Sequence, residues 1–345
     1  MLRLTSGAAV LLMLATAHHA FADGAPDLEA EMRACGFSSA QIAAVEAGGL
    51  VTRLVPQSGD NVAFVVGVTR VAGPASAFVD EIRRLGRPDS QPPTGRTLQA
   101  GRFATPPTME DLQPLRFERQ DLRDLSRCRV GDCDLQLSRQ TMGLASGIDW
   151  RAPAADERAA QLLKSALVET ALAYVREGPA AMAVYDDDAQ PVRAADGFAR
   201  ILERRPQVLA RNPSLYEYLL RRSSAVPPPG VEGFVFWSKE RLQKPVVSIV
   251  HALLQRREGP DGPCFDVVLK HVYDSHSFLA YAEFLTLLPR PGSDDGFYLI
   301  RSVRALINPP HGLFRGPLLG RIKHAMRDQL NEDLSRRRRG AADPQ

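Results

Sequence analysis

The feature that most constrains this chain is the order of elements between Val231 and Arg336. Five apolar segments follow one another there, and an amphipathic helix comes after them. The segments Gly233–Lys239, Pro245–Gln255, Cys264–Tyr273, Phe278–Leu288 and Phe297–Ile307 are rich in β-branched and aromatic residues, as strands are. Short loops of Gly, Pro, Asp and Ser separate them, such as RREGPDGP at Arg256–Pro263. Strands joined this tightly run antiparallel, because a parallel crossover needs a dozen or more residues. Beyond Asn308-Pro-Pro310, Gly316-Pro317 suits the first turn of a helix. Leu319, Ile322, Met326, Leu330 and Leu334 then recur every three or four residues. That stripe has to be buried, and the adjacent sheet is the obvious partner.

The sheet implied by this block is incomplete without an earlier hairpin. Leu50–Val55 and Val62–Val71 are strand-like and flank a turn of Gly, Ser, Asp and Asn. Pro74-Ala75-Ser76 opens a helix to Leu85, with Phe78, Val79, Ile82 and Leu85 at helical spacing. Ahead of the hairpin, Ser38 and Gln41 form a capping box. Between hairpin and final block the chain is mostly helical. Thr108–Asp111 is a second capping signal, Ala155–Glu177 is a long helix, and Val226–Gly230 (VPPPG) is a stiff linker. Gly101–Ala104 is marked as a short strand. The expected segments are therefore 1–22, 23–85, 86–230 as a helical insert, 231–336, and a disordered basic tail at 337–345.

Residues 1–22 have the form of a signal peptide. Arg3 is the basic start, Gly7–Ala17 a short apolar core, and Ala20-Phe21-Ala22 the small-x-small site. The expectation is export to the periplasm or beyond, with cleavage after Ala22. An exported chain with four cysteines can form disulfides. Cys128 and Cys133 flank a Val-Gly-Asp turn and are expected to pair; Cys35 with Cys264 then follows by elimination. Four residues between Cys128 and Cys133 do not make a redox spacing, and no histidine lies beside them to complete a zinc site.

Composition limits function further. The formal net charge is +3, and loss of residues 1–22 removes one basic residue and no acid, which lowers it to +2. Four positive charges sit together at Arg336–Arg339, so the folded body is close to neutral and unsuited to nucleic acid. The basic run is a candidate for peripheral contact with anionic lipid. Asp186-Asp187-Asp188 lacks the spaced ligands and distal Glu of an EF-hand loop and is expected to be a solvated turn. No metal site, cofactor site, nucleophile elbow, metalloprotease helix or phosphate-binding loop is present in the sequence pattern.

The order of elements resembles the START-like (SRPBCC, helix-grip) superfamily. Asn61–Leu85 looks like its opening strand and helix, and Val231–Ser335 like its later strands and gripping helix. The resemblance covers about half the mature chain and rests on topology and pattern; the insert is far larger than the family's usual one. It also resembles exported bacterial proteins of unknown function. What it implies is an α+β fold with a curved antiparallel sheet gripped by a long C-terminal helix. It also implies a cavity between the two for an apolar or lipid-like molecule.

Strand alternation nominates the lining. Leu269, His271 and Tyr273 share one face of the third strand, His251 is placed inward on the second, and Phe284 inward on the fourth. Leu319, Ile322 and Met326 come from the closing helix, and Trp237 is placed at the rim. His276 is a further polar group in the adjacent turn. On the fifth strand Arg301 and Arg304 lie on opposite faces, which puts one inside or at a rim. Two other readings stand beside the carrier. One is a cyclase- or hydrolase-like enzyme using His251, His271 and Tyr273 as acid–base groups, which needs all three in one pocket. The other is an envelope interaction module with the helical insert as its partner surface.

Overall fold

A computed structural model describes residues 27–88, 96–221, 226–259, 261–309 and 315–340. The proposed signal peptide, residues 1–22, lies outside the described residues. The chain opens with α1 (Leu28–Ala34) and α2 (Ser39–Glu46), the hairpin β1 (Leu50–Leu54) and β2 (Val62–Val71), and α3 (Ala75–Arg83). Then come β3 (Thr97–Arg102), α4 (Arg119–Arg127), α5 (Arg139–Ser146) and α6 (Ala155–Glu177). The short pair β4 (Val184–Tyr185) and β5 (Val192–Arg193) precedes α7 (Ala194–Ile201), α8 (Gln207–Ala210) and α9 (Pro213–Arg221). The final block is β6 (Val231–Arg241), β7 (Pro245–Gly259), β8 (Gly262–Asp274), β9 (Phe278–Arg290), β10 (Ser293–Ile307) and α10 (Arg315–Gly340).

Eight strands form one antiparallel sheet in the order β1-β2-β10-β9-β8-β7-β6-β3. The early hairpin pairs with the last strand, as the apolar pattern of the final block requires. The capping box at Ser38 and Gln41 is formed in both directions, and Thr108 with Asp111 caps a single turn at Met109–Leu112.

The sheet is buried on both faces. One face packs under the insert, where Phe198, Tyr174 and Leu167 meet Ile249, Val268 and Phe284. Toward β1 and β2, the same face carries α1 and α2 over Phe64, Val66 and Val68. The other face is covered by α3 and α10, with Phe78, Ile82, Leu330 and Leu334 against Val65, Val267, Leu285 and Leu299. Gly67 on β2 makes the approach of α10 possible: a Cβ there would lie 2.5 Å from Leu334 Cδ1.

Four expectations need correction. The helical insert carries more strand than expected: the one marked at Gly101–Ala104 lies earlier, as β3, and returns to the sheet to pair with β6, and β4 with β5 forms a small hairpin. A strand-like stretch as short as Thr97–Arg102 carries little periodic signal, and its partner is far away in sequence.

The basic run at 337–345 is not a tail throughout. Arg337–Arg339 form the last turn of α10, where the helix dipole favours cations. Arg337 pairs with Glu81 on α3 and sits 5.0 Å from the Phe78 ring centroid, and Arg336 pairs with Glu332 and Asp333. Residues 341–345 lie outside the described residues.

Cys128 and Cys133 are bonded, with Cα atoms 4.3 Å apart, but Cys35 and Cys264 are free thiols within one apolar cluster. Pairing by elimination carries no geometry, and here both thiols serve as packing groups; burial raises the pKa of each.

The Asp186–Asp188 turn is not simply solvated. Asp186 is buried, its carboxylate accepts from the Arg139 N–H at 2.8 Å, and its carbonyl accepts from Gly131 at 2.8 Å. The Asp187 carbonyl accepts from Cys133, so the turn clasps the disulfide loop. The Asp188 carboxylate accepts from the Ala189 N–H and that of Asp187 from Asn308 Nδ2, and no cluster of three or more metal-binding side chains occurs among the described residues. No described helix is long and apolar enough to cross a membrane.

Candidate functional site

Between the second face of the sheet and α10 lies a cavity of about 70 Å³. Its apolar wall is Val246, Phe278, Val303, Met326 and Leu330. Its polar wall is unexpectedly dense: Glu240, Ser248, His271, Asp274, Tyr281, Glu283, Arg301 and Asp333. These come from β6 through β10 and from α10, so the site exists only when the sheet and closing helix are assembled.

A β-bulge organises its centre. Ile249 pairs with Tyr273 but the next residue, Val250, pairs with His271, so Val272 is the extra residue. In a regular strand, residues three apart point to opposite faces. The bulge returns His271 and Asp274 to the same face. His271 Nδ1 then lies 2.7 Å from Asp274 Oδ1, which also accepts from Ser248 Oγ at 2.5 Å. The Asp274 backbone N–H donates to the Tyr185 hydroxyl at 3.4 Å, fixing the turn from the other side of the sheet. Ser248 is bonded to the carboxylate and not to the imidazole, so the three residues are not a nucleophilic triad. They orient one imidazole, whose Nε2 has no hydrogen-bond partner among the described residues.

Beside it, Arg301 Nε donates to Glu283 Oε2 at 2.8 Å, and the Tyr281 hydroxyl donates to Glu283 Oε1 at 2.9 Å. Arg301 also reaches Asp333 of α10 at 3.5 Å. The His271 and Tyr281 rings lie 4.4 Å apart. Burial alone would lower the His271 pKa, but Asp274, Glu283 and Glu240 outweigh it and hold it above its ordinary value. Burial and then Glu283 push the Glu240 carboxyl pKa up. Burial, with Glu283 beside it, raises the Tyr281 phenol. A base with a raised pKa and a carboxyl with a raised pKa thus face the same space. Comparison with protein-family models, with curated proteins and with solved structures found no match. The chemistry of the site therefore rests on its own geometry.

The residues nominated by alternation divide between the two faces. His271 and Met326 line the cavity. Ile322 and Leu319 belong to the small apolar cluster beside it, and Leu269 packs on the same face. Trp237, His251, Tyr273 and Phe284 are on the opposite face, under the insert. Trp237 is fully buried, and its Nε1 donates to Asp111 O at 2.9 Å. His251 is buried with Nδ1 2.9 Å from the Tyr174 hydroxyl. His276 bonds Asp134 O at 2.7 Å, and burial lowers its pKa. Arg304 lies under the insert, donating to Ile201 O at 3.1 Å, and burial pushes its pKa down to about 10.

The two histidines and Tyr273 thus do not converge. Tyr273 changes face because of the bulge, and His251 was assigned to the wrong side because both faces of β7 are apolar. Glu240, Ser248, Asp274, Tyr281 and Asp333 were missed as site residues. Their signal is polar residues within strands made largely of apolar ones, but β7 to β9 carry such residues elsewhere too, as at Gln255, Asp266 and Thr286.

Proposed function

We propose that the chain is an exported binding protein of helix-grip arrangement, whose site is the polar cavity between the sheet and α10. Its ligand is a small polar molecule bearing a carbonyl or hydroxyl oxygen. His271 Nε2 donates to that oxygen, and the Glu240 carboxyl faces the same space. The observation that carries the reading is the His271–Asp274 contact, which fixes the imidazole and leaves its second nitrogen to the cavity. Export is supported by the form of residues 1–22 and by the Cys128–Cys133 bridge, since such bonds persist in oxidising compartments. The helix-grip arrangement is supported by the succession of β2, α3, β6 to β10 and α10, with α10 laid on one face of the sheet. A screen of small polar molecules by ligand-observed NMR tests the site. Compounds that bind the wild type should fail to bind His271→Phe; equal binding to both would overturn the assignment.

A second reading keeps the apolar or lipid-like ligand. The cavity is smaller than the about 150 Å³ hole that takes benzene, so a lipid requires α10 to move. What favours this is the first half of α10: Ile322 and Met326 are only half-buried, over Phe278 and Tyr281. Native mass spectrometry of gently purified protein decides it, since retained lipid would support this reading and a bare chain would remove it.

A further inference from the structure

A second cavity, of about 90 Å³, lies on the opposite face of the sheet, between α6 and the 135–141 segment. Its lining is largely apolar, with Leu163, Ala166 and Leu167 of α6 facing Leu137, Val247 and Tyr273. One residue breaks the pattern. Gln136 is 1% exposed, and neither its Oε1 nor its Nε2 has a hydrogen-bond partner. Leaving such a group unpaired in a protein interior costs about 1–3 kcal/mol.

The amide is held in this position. The Gln136 N–H donates to Ser275 O at 2.9 Å, and the Leu137 carbonyl accepts from Asp186 at 2.9 Å. Leu135 and Leu137 on either side are buried in the apolar cluster beneath α4 and α5. Most other polar groups around the cavity are already used. Thr170 Oγ1 donates to Ala166 O at 2.8 Å, Ser275 Oγ accepts from Val247 at 2.9 Å, and Ser138 caps α5 through Thr141. Asp121 accepts from the Glu118 N–H at 2.9 Å and lies 3.7 Å from Lys239. Tyr273, like Gln136, makes no side-chain hydrogen bond to a described residue, and its ring is braced against Tyr185 at 6.1 Å.

The unmet needs are one donor and one acceptor side by side, in an apolar room with no Lys or Arg in its lining. A charged carboxylate has no counter-ion there and would face Asp121. We propose that this cavity binds a small neutral amide or lactam, whose C=O and N–H pair with the Gln136 amide while its hydrocarbon part packs on Leu163, Leu167 and Val247. The cavity size limits the recognised part to fewer than about six heavy atoms. This site is independent of the His271 cavity and of the function proposed for it.

The probes are 2-azetidinone, which offers both hydrogen-bonding groups, and cyclobutanone, which matches it in size but offers only the acceptor. Saturation-transfer NMR on the full mature chain should show 2-azetidinone binding at least about tenfold more tightly, the value of one good hydrogen bond. Gln136→Leu should abolish that difference and raise Tm, because it removes an unpaired buried amide. Ala166→Leu, which fills the cavity and keeps Gln136, should abolish binding of both probes. Equal binding of the two probes, absence of binding, or a lowered Tm for Gln136→Leu would overturn the proposal. Each of those results would mean that the amide is satisfied by ordered water as part of the fold.

Discussion

His271 and Asp274 stand three residues apart on one strand yet share a face, with Nδ1 2.7 Å from Oδ1, because Val272 is bulged out of register. The contact helps to hold the imidazole pKa above its ordinary value. Asp274→Asn should therefore lower the His271 pKa, because it removes a neighbouring opposite charge. An NMR titration of the ring protons measures this. An unchanged pKa would mean that Glu283 and Glu240 hold the charge without Asp274.

The same shift has a sign in stability. The folded pKa of His271 is raised, so its contribution is fully present below the unfolded value of about 6.5. It is lost as pH rises through the folded value. Urea unfolding should thus show this contribution declining from about pH 6.5 upward in the wild type, and a flatter profile in His271→Gln. A profile unaltered by the substitution would remove His271 from the linkage.

Arg301 and Glu283 form an enclosed ion pair in the cavity, with side chains 17% and 11% exposed. Arg301→Met leaves Glu283 without its cation and weakens the hold on Asp333. It should cost about 3–5 kcal/mol, as breaking one side of a buried pair does. Adding Glu283→Leu should restore part of that loss, because no stranded charge then remains at that position. Strictly additive costs in denaturant melts would show that the two residues act separately.

Gly67 faces Leu334 where α10 crosses β2, and an added Cβ would lie 2.5 Å from Leu334 Cδ1. Gly67→Ala should cost about 1–3 kcal/mol by overpacking. Leu334→Ala in the same chain should make Gly67→Ala less harmful than it is alone. A double mutant that simply sums the two losses would argue that helix and strand do not meet through this contact.

The sequence predicts the sheet well because its strands are long, β-branched and bounded by turn residues, as Val62–Val71 and Phe278–Leu288 show. It predicts α6 to the residue, and that helix buries Ala159, Leu163, Leu167, Ala171 and Tyr174. The site is less legible. Alternation separates the two faces of a strand but does not name the face that holds a cavity when helices cover both, as His251 and Trp237 demonstrate. The Val272 bulge then shifts the register by one, which moves Tyr273 to the insert side and brings Asp274 to His271. Nothing in local composition marks that residue as extra.

The cysteines allow a direct check of compartment and fold together. Cys128 and Cys133 are bonded, and Cys35 and Cys264 are free. Alkylation in denaturant without reductant should add two adducts to the purified chain, and four after reduction. Zero adducts before reduction would show that Cys35 and Cys264 are joined after all. The Cys128 bridge closes a short loop, for which chain entropy gives a stabilisation of about 2 kcal/mol. Cys128→Ala with Cys133→Ala should lower stability by that order. The loss should be felt first around the Asp186–Asp188 turn, whose carbonyls hold Gly131 and Cys133. Hydrogen exchange at the Gly131 and Cys133 amides reports it, and unchanged protection there would show that the bridge does not fix the turn.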